Sequence, residues 1–162
     1  MERADFLARF GGVFEHSPWI AEAVFDRGLG PETDSAEGLH RAMCAVLRAA
    51  PRERKLALIR AHPDLAGRLA RRGALTEASR GEQASAGLDA CSEEEFARFT
   101  ELNARYREKF GFPFVMAVKG RCRREILAAF ARRIANDPET EFQTALAEIE
   151  KIALFRLREL LS

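Results

Sequence analysis

Two short runs in this chain hold residue types suited to acid/base chemistry. The first is Ala61-His62-Pro63-Asp64-Leu65 and the second is Ser79-Arg80-Gly81-Glu82-Gln83. An imidazole, a carboxylate and a hydroxyl supply a proton donor, a proton acceptor and an orienting group, which is enough to move protons without a metal. His62 stands at a corner, because the residue before a proline is pushed out of the α region. Pro63-Asp64 then suits the first turn of a new helix, whose dipole would favour a neutral imidazole able to give or take a proton. Ser79 and Glu82 are i, i+3 neighbours on a predicted helix and share a face. Gly81, Ala84, Ala86 and Gly87 around them allow a ligand or another backbone to come close. A solvent face with an internal Ser–Glu hydrogen bond is the alternative for that helix, and a structural role is the alternative for His62.

A third candidate comes from the far end of the chain. Ile149, Ile152, Ala153, Leu157 and Leu160 form one apolar stripe of the last predicted helix, and at about 100° per residue Arg156 falls inside it. A guanidinium facing inward is costly unless an anion or several acceptors meet it. It is either an ion pair with a core-facing glutamate or a fork for a carboxylate, amide or ureido oxygen of a ligand. A fourth candidate is the segment from Phe110 to Gly120, with glycine at both ends, Pro113 inside and apolar side chains at nearly every position. Such a segment is predicted to be buried, so its backbone groups need partners. It is either a connector that closes its own hydrogen bonds or a backbone wall that lends some to a polar ligand. His16, before a cap, and His40, between polar neighbours, read as surface or capping residues.

The elements that must position these groups are helical throughout, and alternating β-branched runs are missing. Phe6 and Phe10 open the chain as an i, i+4 pair. Ser17-Pro18-Trp19 reads as a cap with proline at the first helical position, followed by Ile20, Val24 and Phe25 and a stop at Gly28-Leu29-Gly30-Pro31. Asp34 or Ser35 caps a third helix carrying Leu39, Met43, Val46 and Leu47 toward Pro51. Arg52 to Ala61 is a short helix with Leu56 and Ile59 inward. The helix opened by Pro63-Asp64 should stop at Gly73. Thr76 to about Ala90 is the next, and Ser92-Glu93-Glu94-Glu95 is a capping box opening a long helix to about Lys109. Arg121 to Asn136 follows, with Ile126, Leu127, Phe130 and Ile134 in register. Asp137-Pro138 breaks it, and Glu139 to about Leu161 is the last helix. The expected fold is all-α, a single-domain multi-helix bundle over residues 1–162.

Composition removes several function classes. With 26 basic and 25 acidic side chains the formal net charge is +1, so the chain lacks the basic excess of a nucleic-acid binder. The local run Arg121-Cys122-Arg123-Arg124 reads as a solvated helix face. No apolar stretch is long enough for a membrane span, and the charged start Met1-Glu2-Arg3 lacks the core of a signal peptide. No peroxisomal tripeptide closes the chain. Three scattered cysteines, Cys44, Cys91 and Cys122, suggest free thiols in a reducing cytoplasm. No metal-ligand spacing, glycine-rich nucleotide loop or nucleophile motif is present, so no metal or cofactor is expected. What remains is acid/base chemistry on a small polar substrate.

Taken together, these residues resemble the 2-oxo-4-hydroxy-4-carboxy-5-ureidoimidazoline (OHCU) decarboxylases of uric acid degradation. The resemblance runs through Phe10-Gly11-Gly12-Val13-Phe14-Glu15-His16-Ser17-Pro18-Trp19, His62-Pro63-Asp64-Leu65-Ala66-Gly67 and Leu75-Thr76-Glu77-Ala78-Ser79. It continues through Glu82-Gln83, Ala86-Gly87-Leu88, Leu102-Asn103-Ala104-Arg105-Tyr106, Phe110-Gly111-Phe112-Pro113-Phe114-Val115 and Phe155-Arg156-Leu157. It departs at Ala78, where the family would place an acid. It implies an all-helical, cofactor-free homodimer that converts a small ureidoimidazoline to (S)-allantoin. Carried over by position, His62 is the implied acid/base, Glu82 its carboxylate partner, and Ser79, Gln83 and Arg156 substrate-binding groups. Pro63 is implied in the pocket wall, and Phe114, Val115, Met116, Ala117 and Val118 in the backbone that meets the ring. A hydrolase or lyase acting on a neighbouring ureide would use the same His and Glu with a bound water. A helical interaction module with Arg156 as a core ion pair is the non-enzymatic alternative.

Overall fold

Side-chain caps fix where several of the helices begin. The computed structural model describes residues 1–67 and 75–162. Among them are eight α-helices and no strand: α1 (Arg3–Phe10), α2 (Trp19–Arg27), α3 (Ala36–Ala49), α4 (Arg52–Ala61), α5 (Glu77–Ser85), α6 (Glu93–Phe110), α7 (Arg123–Arg133) and α8 (Pro138–Leu160). The fold is all-α. Ser35 caps α3 by accepting from Gly38 N–H at 3.0 Å. Gly38 itself lets the chain pass closely, since a Cβ there would lie 1.7 Å from the Glu32 carbonyl oxygen. Ser92 and Glu95 form the expected reciprocal box at the start of α6. Gly111, at φ +76°, ends α6 in the left-handed conformation that glycine adopts most readily. Asp137 accepts from Thr140 N–H at 3.0 Å and starts α8, with Pro138 in its first position.

Several boundaries differ from the sequence expectation, each for a local reason. Ser17 does not cap α2, because its hydroxyl donates to the Glu15 carbonyl at 2.9 Å. The inward residues of α4 are Leu58 and Ile59, and Leu56 is only half-buried. Helix α5 stops at Ser85, because Gly87 is left-handed at φ +77° and a 3₁₀ turn follows over Leu88–Ala90. Helix α7 is shorter than expected at both ends. Cys122 N–H is taken by the Glu125 side chain, and Lys109 Nζ donates to the Ile134 carbonyl at 2.8 Å just past its end. Residues 63–67 form a turn rather than the start of a helix, and the rest of that expected helix, with its stop at Gly73, lies outside the described residues. Among the described residues no helix is long and apolar enough to cross a membrane.

The contacts divide the chain into two units. The first comprises Met1–Ala61 and Ile149–Ser162, and the second His62–Glu148. In the first, Phe6, Ile20, Leu39, Met43, Leu47, Leu58 and Leu157 are buried, and Phe6 packs on Phe10 and Phe25 at ring separations of 5.0 and 5.5 Å. His40 is half-buried, with a role the sequence reading did not give it. Its Nε2 donates to the Glu150 carbonyl at 2.7 Å and fastens α3 to α8, with Cys44 Sγ 3.3 Å away. Arg156 is 6% exposed, as its place on the apolar stripe required, whereas Leu160 in the last turn of α8 is exposed.

In the second unit, Tyr106 is ringed by Phe110, Phe112, Phe114 and Phe130 at 4.4 to 5.9 Å. Behind them Glu141, 0% exposed, accepts from Tyr106 Oη at 2.5 Å, Arg133 Nε at 2.9 Å and Asn136 Nδ2 at 2.9 Å. Three donors on one buried carboxylate offset the desolvation that would otherwise make it costly. Burial, then the bond to Glu141, pushes the Tyr106 hydroxyl well above its ordinary range.

Burial also pushes the Cys44 thiol up, from an ordinary value of 9.0 to about 12, with the Glu150 carboxylate adding to it. The folded state then keeps a proton that the unfolded chain releases above pH 9, so stability falls as pH rises through the window from about 9 to about 12. The expected slope from this thiol is up to about 1.4 kcal/mol per pH unit. Urea unfolding between pH 8 and 11 checks it, and Cys44→Ala should flatten the curve relative to the parent.

Candidate active site

His62 follows the last residue of α4 and is 6% exposed. It lies past the end of one helix, and among the described residues no helix begins within 63–67, where the sequence placed its start. What fixes the backbone after His62 is instead a set of side chains from α5 and α6. Gln83 Oε1 accepts from Ala66 N–H at 2.9 Å, and Gln83 Nε2 donates to the Asp64 carbonyl at 3.3 Å. Asn103 Nδ2 donates to the Leu65 carbonyl at 3.0 Å. Arg107 reaches Asp64 Oδ1 through Nε at 3.0 Å and through its second guanidinium nitrogen at 2.9 Å. These bonds take the backbone groups that a first helical turn would otherwise use or leave to water, which is why propensity at Pro63-Asp64 did not decide the local structure.

The two sequence runs therefore meet in space, and Gln83 is the joint. Helix α5 presents Ser79 and Gln83, one turn apart, as buried residues, with Glu82 half-buried beside them. That face is not the solvent face considered above. Thr76 caps the helix by accepting from Ser79 N–H at 3.2 Å, which sets the start of α5 and with it the height of Ser79. Both ends of the Gln83 amide serve the turn, though a primary amide keeps a second proton and a second lone pair.

Residues 112–118 are all buried and lie in no helix. Two of their backbone groups are met by side chains. Arg133 donates to the Val115 carbonyl at 2.7 Å while its guanidinium lies over the Phe114 ring, 4.3 Å from the centroid. Ala117 N–H donates to Glu148 Oε1 at 3.1 Å. One of the expected backbone donors thus already holds a carboxylate. Arg156, in the first unit, donates to Glu15 Oε2 at 3.1 Å and to the Val13 carbonyl at 3.2 Å. Its partner Glu15 is 2% exposed, so the core ion pair anticipated for an inward arginine is present. Among the described residues no three His, Cys, Asp or Glu side chains come together as metal ligands.

Asn103, Arg107, Arg133, Glu141 and Glu148 were not singled out in the sequence. The signal for two of them was available. Asn103 lies on the α6 stripe of Phe99, Leu102 and Tyr106, and Glu141 on the α8 stripe of Phe142, Ala145 and Ile149. A polar residue inside an apolar stripe is the same argument that found Arg156.

The bond from Ala66 predicts a stability effect. Gln83→Leu strands a buried N–H, which costs about 1–3 kcal/mol. An unfolding free energy lowered by that amount, read as a lower urea midpoint at unchanged m-value, is the expected result.

Comparison with known proteins places the chain in one group. The OHCU decarboxylase family pattern matches residues 1–158. The chain is 47% identical over 154 residues to the 2-oxo-4-hydroxy-4-carboxy-5-ureidoimidazoline decarboxylase of Haloferax volcanii, covering 95% of this chain and 88% of that protein. It is 42% identical over 162 residues to the uric acid degradation bifunctional protein PucL of Bacillus subtilis, covering all of this chain and 31% of that protein. A crystal structure of OHCU decarboxylase in the presence of (S)-allantoin superposes with a TM-score of 0.71 at 26% identity, covering 92% of this chain and 94% of the other.

Proposed function

We propose a function from one premise: the chain belongs to the OHCU decarboxylase family. It is a carboxy-lyase that decarboxylates 2-oxo-4-hydroxy-4-carboxy-5-ureidoimidazoline to (S)-allantoin in uric acid degradation. The observation that carries this reading is the Gln83 joint. It brings the His62-Pro63 run and the Ser79-to-Gln83 run of the family pattern to one place.

The chemistry asks little beyond positioned polar groups. When CO₂ leaves, its bonding electron pair stays on the ring carbon and spreads into the neighbouring carbonyl and C=N. The catalyst must stabilise that charge and then deliver one proton to one face. In the proposed mechanism His62 is the acid that protonates the ring carbon and so sets the S configuration. Glu82 orients His62 and takes up the proton of the substrate hydroxyl or ureido group. Ser79 and the second amide proton of Gln83 bind polar substituents, and Pro63 forms wall. Backbone groups of Phe114, Val115, Met116, Ala117 and Val118 face the ring. Ala117 N–H is available to substrate only when Glu148 gives it up. Arg156 is kept as a substrate-binding group on the resemblance alone, since its described contacts are to Glu15 and the backbone at Gly12 and Val13. A homodimer in the cytoplasm completes the proposal, supported by the resemblance and by three free cysteines.

His62→Ala and Glu82→Ala are each expected to abolish stereospecific turnover while the far-ultraviolet spectrum and unfolding midpoint stay near the parent's. The assay generates the substrate in situ from urate and follows allantoin optical activity by circular dichroism. Unchanged (S)-allantoin production by either variant contradicts its assigned role. Arg156→Lys separates binding from packing: a raised KM at unchanged kcat and stability supports the binding role, and lost stability alone contradicts it.

A further inference from the structure

We infer that Asn103 is a positioning residue for His62, acting by holding one peptide group of the turn that follows the histidine. The inference rests on the proposed decarboxylase reading for what His62 does. The peptide in question joins Leu65 to Ala66. Its N–H is held by Gln83 Oε1 at 2.9 Å and its C=O by Asn103 Nδ2 at 3.0 Å. Two side chains from different helices thus grip opposite ends of one planar unit, which stops it from flipping about its flanking bonds.

The turn needs such a grip. Ala66 has φ +52°, in the left-handed region that a residue with a Cβ adopts at a cost. A strained residue of this kind persists only where its surroundings over-determine it. Without the Asn103 bond, a flip of the Leu65–Ala66 peptide would let Ala66 relax and would move the backbone that leads back through Pro63 to His62. Arg107, one turn after Asn103 on the same face of α6, holds Asp64 Oδ1, so α6 fixes two consecutive residues of the turn.

Asn103 is also a poor choice for packing alone. It is 6% exposed on an otherwise apolar stripe, and its Oδ1 meets no hydrogen-bond partner among the described residues. A buried acceptor left open disfavours the folded state, whereas leucine would fill the site without that burden. The asparagine therefore earns its place through the Nδ2 bond.

The test measures kcat, KM and the pH profile of (S)-allantoin formation for the full chain, with the parent and His62→Ala run in parallel. Asn103→Leu is expected to lower kcat about 10- to 100-fold with KM little changed, the scale on which small displacements of a reacting group act. Adding Ala66→Gly should return much of the lost kcat, because glycine holds the positive φ without strain. Asn103→Asp keeps the shape and serves if the leucine variant does not fold. Its kcat relative to the parent should rise as pH falls, since a protonated carboxyl can again donate to the Leu65 carbonyl. Full activity in Asn103→Leu, or losses that Ala66→Gly does not recover, overturns the inference while leaving an active parent and an inactive His62→Ala intact. For Asn103→Asp, a flat relative pH profile overturns it likewise. An inactive parent overturns the decarboxylase reading and this inference with it.

Discussion

The amide of Gln83 is the group on which the candidate site depends. One helix, α5, carries the carboxylate and the hydroxyl, and a turn without regular structure carries the approach to the imidazole. Turns are positioned by what their backbone groups bond to. Here a single side chain accepts from one residue of the turn and donates to the carbonyl two residues before it. The arrangement explains why a site can be built on a turn containing a left-handed alanine. The strain is local, and the bonds that hold it come from two regular helices. Rigid elements supporting an irregular segment give the precision that the proposed proton delivery to one face of a carbon requires.

The same logic recurs around the apolar segment that follows α6. Phe114 is stacked on Phe130, with ring centroids 3.9 Å apart, and lies under the Arg133 guanidinium, which also takes the Val115 carbonyl. Arg133 is in turn held by Glu141, and Glu141 by Tyr106 and Asn136. A hydrophobic wall is thereby fixed by a buried polar network, each of whose charged members has at least one close partner. Removing one member of such a pair typically costs more than the pair contributes, because the other is left buried. In the first unit Arg156 and Glu15 form a second buried pair, which ties α8 to the residues between α1 and α2.

Much of this was legible in the residues, and the misses share a cause. Caps, glycine stops and apolar periodicity located the helices because those signals act within one turn of the chain. They failed at Pro63-Asp64, where local preference favours a helix start. The groups that decide the matter are Gln83, Asn103 and Arg107, 17 to 43 residues away in sequence. His40 was misread for the same reason, since its partner is the Glu150 carbonyl 110 residues on. The candidate chemistry at His62, Ser79, Glu82 and Gln83 was visible as residue types and spacing. That Gln83 serves the turn with both ends of its amide was not, because a side chain's partner cannot be read from its spacing. Asn103 could have been found by the stripe argument that found Arg156.

The Ala66 amide joins the two runs. Hydrogen exchange of that single amide, followed by NMR in the parent and in Gln83→Leu, tests it most directly. Protection in the parent comparable to buried helical amides is expected, lost on the substitution while the amides of α6 stay protected. Exchange at the rate of an open loop in the parent, or equal protection in both proteins, would contradict it.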